Sequence, residues 1–127
     1  MRRLYLLIAS LSFAVIIAGN NDNLTEITFS QISHDFGIIN LHQKYVTHTF
    51  YFRNTGQHPL LIKDVRASCG CTEADWTRRP VTPGDTGSIT VLYKNWSKGI
   101  FHKRVKVISN AGKTYLYIKG DSELLTR

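Results

Sequence analysis

The feature of this sequence that most constrains its fold is a two-residue alternation of apolar and polar side chains in short runs. Within residues 45–53, the side chains of Val46, His48, Phe50 and Phe52 would share one face. Because successive side chains of a β-strand point to opposite faces, this run predicts a half-buried strand. Further strands are predicted at residues 60–66, 87–93, 101–108 and 114–119, with a short or edge strand at residues 26–32.

Turn-forming residues separate the predicted strands. Asn54, Thr55 and Gly56 follow the clearest strand, and Pro83 and Gly84 precede a later one. These residue types suit turns because Gly and Asn tolerate positive φ and Pro presets its own φ. After residue 20, no window shows the 3.6-residue apolar period of a helix. The sequence therefore predicts an all-β fold, an antiparallel β-sandwich of about seven strands, with a small barrel as the alternative.

The length and the apolar content fit a single folded domain. The chain has 127 residues, of which 43% are hydrophobic and fourteen are aromatic: six Phe, six Tyr and two Trp. A core of this size can form without a metal or a disulfide. We expect no cofactor.

The N-terminal segment predicts export. Arg2 and Arg3 precede an apolar run over residues 4–18, and the chain becomes polar from Asn20. This pattern is typical of a signal peptide, here residues 1–19, followed by a mature domain over residues 20–127. An uncleaved membrane anchor over residues 4–18 is the alternative, since the cleavage site is poor. The run is shorter than the ~20 residues that a spanning helix needs.

The same segment indicates the compartment and the mode of attachment. No cysteine follows the apolar run, since the first in the chain is Cys69. A lipoprotein is therefore not expected. The predicted location is periplasmic or extracellular, with membrane contact only through the N-terminal segment if it stays uncleaved.

The basic charge does not indicate a nucleic-acid partner. The net charge of the whole chain is +7, and without residues 1–19 it keeps fourteen basic and nine acidic residues. No Lys/Arg cluster is longer than two residues, and neither an aromatic stacking platform nor a recognition helix is visible. A moderate excess of basic residues of this kind is typical of a soluble protein surface that is weakly attracted to anionic surfaces.

Cys69 and Cys71 flank Gly70 and are the only cysteines. Three interpretations stay open: a structural turn or disulfide, a redox-active pair, and a soft-metal site. In an oxidising compartment the two sulfurs can bond to each other. The bond would close a loop of three residues, for which chain entropy gives only about 1.6 kcal/mol. An exposed and strained disulfide also tends to be easily reduced.

The metal interpretation needs further ligands. Two thiolates one residue apart can bind a soft ion such as Cu(I), whereas zinc usually takes four ligands. His34, His48 or His102 would have to complete a site with Cys69 and Cys71, but none lies at a fixed close spacing from them. The sequence alone does not define a metal centre.

Signatures of common enzymes are absent from the sequence. It contains no Gly-x-Ser-x-Gly elbow, no phosphate-binding glycine loop and no His-Glu-x-x-His motif. His34 and Asp35 are adjacent, but neighbouring side chains on a strand point apart, so a turn or a strand start is the predicted role. We predict no catalytic residues and no enzymatic activity.

Several short motifs occur in a fixed order over residues 34–120. They are His34-Asp35-Phe36-Gly37, residues 50–56 ending in Asn54-Thr55-Gly56, Pro59-Leu60, Ser68-Cys69-Gly70-Cys71-Thr72, residues 80–84 ending in Pro83-Gly84, residues 99–103, Ser109-Asn110 and residues 118–120. Together they resemble the bacterial domain of unknown function 1573, which is related to immunoglobulin-like modules of the sperm-protein and hydin type.

The resemblance implies an immunoglobulin-like fold and export, and it brings no activity. Members of the family are often exported by lipoprotein signals, which this chain lacks. Residues 40–44 also depart from the acidic-glycine turn that is usual after the His-Asp-Phe-Gly segment. The Cys-Gly-Cys motif belongs to the family pattern, but its purpose does not follow from the family.

Two functions are compatible with the sequence. The first is a non-enzymatic immunoglobulin-like module that binds an envelope or extracellular protein, or acts as a scaffold, through sheet edges and loops. The alternative is thiol redox chemistry or soft-metal (copper) binding at Cys69-Gly70-Cys71.

Overall fold

A computed structural model describes residues 24–125, and this part of the chain consists of strands, turns and loops. The predicted signal segment, residues 1–19, lies outside the described residues. Within the described range there is no helix long and apolar enough to cross a membrane. The strands, in chain order, are β1 (Ile27–Phe29), β2 (Ser33–Asn40), β3 (Tyr45–Asn54), β4 (Ile62–Ala67), β5 (Thr72–Trp76), β6 (Thr86–Lys94), β7 (Gly99–Ser109) and β8 (Gly112–Glu123).

The strands form two sheets of four. Sheet I has the order β1-β3-β6-β5, and sheet II has the order β2-β8-β7-β4. The chain therefore passes from one sheet to the other after β1, β2, β3, β4 and β6. Each sheet has two edge strands, β1 and β5 in sheet I and β2 and β4 in sheet II.

One apolar core lies between the two sheets. Alternate residues of each strand point into it, as the period of two requires. Its fully buried side chains include Phe50, Phe52, Ile89 and Val91 from sheet I and Val105, Val107, Leu116 and Ile118 from sheet II. The all-β sandwich and the inward face of residues 45–53 are thus confirmed.

Aromatic rings join the sheets across the core. Tyr93 on β6 of sheet I stacks on Phe101 on β7 of sheet II, with ring centroids 3.9 Å apart, and Phe36, on β2 of the same sheet as Phe101, lies 6.3 Å from the Phe101 ring. Contacts of this kind add roughly 0.5–1.5 kcal/mol to the burial of the rings. The β6–β7 end of the sandwich is therefore well packed.

The sequence did not predict β5 as a strand, and it indicated only the start of β2. β5 is a short edge strand that pairs with β6 alone, and its inward residues Thr72 and Ala74 are too small or polar to give a clear apolar alternation. In β2 the register shifts between Asp35 and Ile38, where Gly37 has a φ of 67°. An extra residue at a bulge breaks the two-residue period on which strand prediction depends.

One strand pair differs from the antiparallel prediction. β2 and β8 run parallel, whereas the other neighbouring strands are antiparallel. After β1 the chain crosses to the edge of sheet II without reversing its direction. At this crossing, Tyr117 N of β8 donates a hydrogen bond to Ile32 O at 2.8 Å. The crossing, which a local pattern does not encode, sets the orientation of β2.

Candidate functional site

The Cys-Gly-Cys motif forms the loop that connects β4 in sheet II to β5 in sheet I. The loop is tied to β7 by Ser68, whose backbone N donates to Arg104 O at 3.0 Å and whose hydroxyl accepts from Arg104 N at 3.2 Å. It is closed by Thr72 N, which donates to Cys69 O at 3.3 Å. The sheet-crossing position holds the two cysteines at one end of the sandwich.

The sulfurs of Cys69 and Cys71 are bonded to each other, and both residues are half-buried. The Cys69 sulfur accepts a hydrogen bond from Cys71 N at 3.3 Å and lies 3.5 Å from the hydroxyl of Thr72. The Cys71 sulfur lies 3.7 Å from the same hydroxyl. Thr72 itself is buried, so its hydroxyl is fixed beside the disulfide.

A cleft of about 160 Å³, which we call the thiol cleft, opens beside Cys71, and its other walls come from the end of β6, the β6–β7 loop and the first part of β7. Lys98, Lys103 and Trp96 contribute to its walls, and the Trp96 side chain is 68% exposed. Lys94 also lines it, but its ammonium is held by Glu73 at 2.6 Å. The cleft thus combines a disulfide, cations and an exposed aromatic ring.

Lys103 is the least expected residue of the thiol cleft. On β7 it alternates with the core residues Phe101 and Val105, so it lies on the inward face and is half-buried. A cation in phase with core residues is uncommon, because burying a charge without a partner is costly. This phase is visible in the sequence and is the signal that could have identified the cleft.

The histidines considered as metal ligands have other neighbours. His34 on β2 stacks on His48 on β3 with ring centroids 3.6 Å apart, and His102 lies beside Tyr117 at 6.0 Å. Within residues 24–125, no group of three His, Cys, Asp or Glu side chains is placed to hold a metal ion. The structure brings His34 and His48 together, but it does not join them to the cysteines in such a group.

The stacked pair affects the protonation of His48. Burial lowers the pKa of His48 below its usual 6.5, and the neighbouring His34 lowers it further. The ring also meets Phe50 edge-on at 4.7 Å, and His34 meets Phe36 in the same way at 4.6 Å. A half-buried imidazole among rings is stabilised in its neutral form.

A second cleft, which we call the edge groove, lies between β2 and β3 where the two sheets are open. Its volume is about 450 Å³, and its walls include Phe36, Ile38, Tyr45 and Val46. Ile38 and Tyr45 are 65% and 61% exposed. Large apolar side chains exposed beside a groove are typical of interaction sites.

The backbone along the edge groove is paired on one side only. β3 pairs with β6 over residues 45–53 but with β1 only over residues 52–54. Since Tyr51 O accepts from Ser30 on the β1 side, the backbone groups of the odd-numbered residues point away from β6. Those of Thr47 and Thr49 therefore face the open side. We call residues 45–50 of β3 the open edge.

The other residues of the family motifs form hydrogen bonds in a β-bulge and in turns. Asp35 accepts Gly37 N at 2.8 Å and closes the β2 bulge. Asn54 is buried and bonds across a turn that includes Thr55 and Gly56. Thr82 O accepts Asp85 N at 3.0 Å, with Pro83 and Gly84 between them and Gly84 at a φ of 83°, as a type II turn requires.

Two four-stranded sheets around one core, linked by sheet-crossing loops, define an immunoglobulin-like β-sandwich domain. The family model described as "Protein of unknown function (DUF1573)" matches residues 27–122, so the chain belongs to that family. The resemblance drawn from the motifs is confirmed. Membership of this family assigns no activity, and no curated protein gives a significant match.

Solved structures with the same fold have distant sequences. A protein of unknown function from Porphyromonas gingivalis W83 is 15% identical over 77% of this chain and 47% of its own, with a TM-score of 0.67. The VesB protease of Vibrio cholerae is 14% identical over 80% of this chain and 33% of its own, with a TM-score of 0.63. The chain thus spans less than half of either protein.

One similar structure is a smaller domain that is covered over most of its own length. The ASH/PapD-like domain 7 of human CEP192 is 7% identical, with 81% of this chain and 89% of that one covered and a TM-score of 0.67. The YadV chaperone is 16% identical over 81% of this chain and 55% of its own, with a TM-score of 0.51. At these identities the similarity concerns the fold alone.

Proposed function

We propose that this protein is an exported, non-enzymatic module that binds an extended segment of an envelope or extracellular protein along the open edge of β3. Export is supported by the predicted signal over residues 1–19. Binding is supported by one observation above all, the half-paired backbone of residues 45–50 beside the edge groove.

An added strand would gain backbone hydrogen bonds at the open edge. The N–H and C=O groups of Thr47 and Thr49 face the space that a neighbouring strand would fill. Peptides that extend a sheet in this way obtain affinity from main-chain bonds and specificity from alternate side chains. An unoccupied edge of this kind is otherwise a liability that proteins protect.

β1 already occupies the other half of the same edge. It pairs with β3 at residues 52–54, and its Phe29 ring lies 5.6 Å from the Phe52 ring. An added strand in line with β1 would point inward at the positions opposite Val46 and His48. The position opposite Val46 reaches the edge groove, so the partner segment should carry an apolar residue there.

The fold similarities are compatible with this function. One similar structure is a chaperone and another is a PapD-like domain. We take from them that a sandwich of this shape can serve as a contact module for other polypeptides.

A proline at the open edge tests the proposal. Thr47→Pro removes an N–H that faces the open side and leaves the β3–β6 hydrogen bonds in place, because edge positions tolerate proline. Thr47→Ala is the matched control, since it shortens the side chain but keeps the N–H. The readout uses a photo-crosslinking amino acid in place of exposed Tyr45, with one in place of exposed Lys113 as the positional control.

We expect position 45 to crosslink one defined segment of an envelope or extracellular protein in living cells, and position 113 not to do so. Thr47→Pro should abolish the crosslink, Thr47→Ala should retain it, and both should keep the circular-dichroism spectrum. Capture that survives Thr47→Pro, or partners that are cytosolic only, would overturn the proposal.

A further inference from the structure

We infer that the Cys69–Cys71 bond is a site of thiol–disulfide exchange at which an external thiolate attacks the Cys71 sulfur and Cys69 leaves as a thiolate. This activity is separate from strand binding at the edge groove. It rests on three features of the described residues: access, charge and the surroundings of the leaving sulfur.

An incoming thiolate can reach the Cys71 sulfur from the thiol cleft more readily than it can reach the Cys69 sulfur. Cys71 lines the thiol cleft, whereas Cys69 is not among the residues that form it. Cys69 is instead held inside the turn by its contacts with Cys71 N and the Thr72 hydroxyl. Because exchange requires approach to a sulfur from outside, access decides which one is attacked.

The charge of the thiol cleft attracts an incoming thiolate. Lys98 and Lys103 line the cleft, and neither forms an ion pair within residues 24–125. Lys94 is different because Glu73 neutralises it. Two unpaired ammonium groups raise the local concentration of anions and stabilise a thiolate beside them.

The surroundings of Cys69 suit a leaving group. When the bond breaks, negative charge develops on the Cys69 sulfur, which already accepts the Cys71 N–H and lies next to the Thr72 hydroxyl. Hydrogen bonds to the charged form favour it, and a better-stabilised thiolate leaves faster. Cys71 has only the longer contact with Thr72.

Two thiol molecules reduce the disulfide in two exchange steps. The first thiolate bonds to the Cys71 sulfur, the Cys69–Cys71 bond breaks, and Cys69 takes the electron pair. A second thiolate then attacks the external sulfur of this mixed disulfide and releases Cys71 as a thiolate. Two thiols lose two electrons and become a disulfide, and the cysteine pair takes up those electrons and two protons. Exposed Trp96 gives the cleft an apolar wall for the carrier of the thiol.

The test uses the purified oxidised protein and reduced glutathione, an anionic thiol, with no protein partner present. Acid quenching followed by fragmentation in a mass spectrometer locates the mixed disulfide. We expect glutathione on Cys71. Glutathione mainly on Cys69, or a bond that glutathione leaves intact over hours, would overturn the inference.

Charge variants test the role of the cleft independently. Lys103→Gln should slow the attack by glutathione about three-fold, the size of a partly screened charge interaction. Lys106→Gln removes the same charge from the outer face of β7 and should leave the rate unchanged. Equal rates for the two variants, with both folded by circular dichroism, would contradict attack through the cleft. None of these results depends on the open edge.

Discussion

Asn54 closes β3 with a side chain that is completely buried and completely hydrogen-bonded. Its Nδ2 donates to His58 O at 2.7 Å and to Val81 O at 2.8 Å, and its Oδ1 accepts Gly56 N at 2.9 Å. These bonds tie the turn after β3 to the segment before β6. A buried polar group is tolerable only when its partners are all present, so this residue has little freedom to change.

We predict that Asn54→Ala lowers the free energy of unfolding by about 3 kcal/mol, since it removes three hydrogen bonds at a buried site and leaves the N–H of buried Gly56 without its acceptor. Asn110→Ala is the matched control. Asn110 also bonds Leu61 N and Pro59 O, but it is exposed, so water can replace those bonds and the loss should stay near 1 kcal/mol. Urea unfolding of both variants measures the difference, and equal losses would refute the argument.

At the scale of elements, β2 and β3 meet through two histidine rings from different sheets. His34 and His48 are stacked face to face beside the edge groove, with Phe36 and Phe50 on either side. Protonation of His48 would place a charge against the stacked His34 ring. The contact between these two strands therefore depends on the neutral imidazole form.

We predict that the domain loses stability on mild acidification. Well above pH 6.5, His48 is neutral in the folded and the unfolded chain, so it contributes no pH dependence. Below 6.5 the unfolded chain takes up a proton that the folded domain resists, because the pKa of folded His48 is lowered. The free energy of unfolding therefore falls as the pH drops from 6.5 to the lowered folded pKa, and it falls no further below that.

The midpoint of urea unfolding, measured at about pH 7.5 and at about pH 5.5, should be lower at the lower pH. His48→Phe keeps a planar ring and should reduce the acid sensitivity. His42→Gln, in the exposed loop before β3, should retain it. An unchanged acid sensitivity in His48→Phe would show that other groups are responsible.

At the scale of the whole molecule, the sandwich is held by a core that is independent of the disulfide. Within the described residues, sixteen buried hydrophobic side chains form one cluster, fourteen from the strands of the two sheets and two, Leu60 and Val81, from an isolated bridge, and Cys71 only packs against its margin. The disulfide closes a loop of three residues, whereas pairs such as β2–β8 and β3–β6 join residues far apart in the sequence. Short loops gain little from a crosslink, so the bond is poorly placed to stabilise the fold.

We therefore predict that the double variant Cys69→Ser/Cys71→Ser stays folded. Its free energy of unfolding should fall by at most about 1.6 kcal/mol, the chain-entropy value for so short a loop. Thermal unfolding followed by circular dichroism measures this. The same variant should retain the photo-crosslink at position 45, because the open edge is formed by other strands. A variant that fails to fold would instead give the pair a structural role.

The sequence by itself determined the class of fold and its inward faces. Alternation over residues 45–53 and 101–108 marks core strands, because burial on one face of a strand imposes a period of two. It also determined the turn at Pro83-Gly84 and the family. These features are local, and each depends on residues only a few positions apart.

Only the tertiary structure decided where the sites lie. Cys71 and Lys103 are 32 positions apart in the sequence, and they line one cleft because the chain crosses between sheets before β5. The open edge exists because β1 leaves β3 after three paired residues, and the direction of β2 follows from the same crossing. Pairing between distant strands depends on the packing of the whole core, and no local period carries that information.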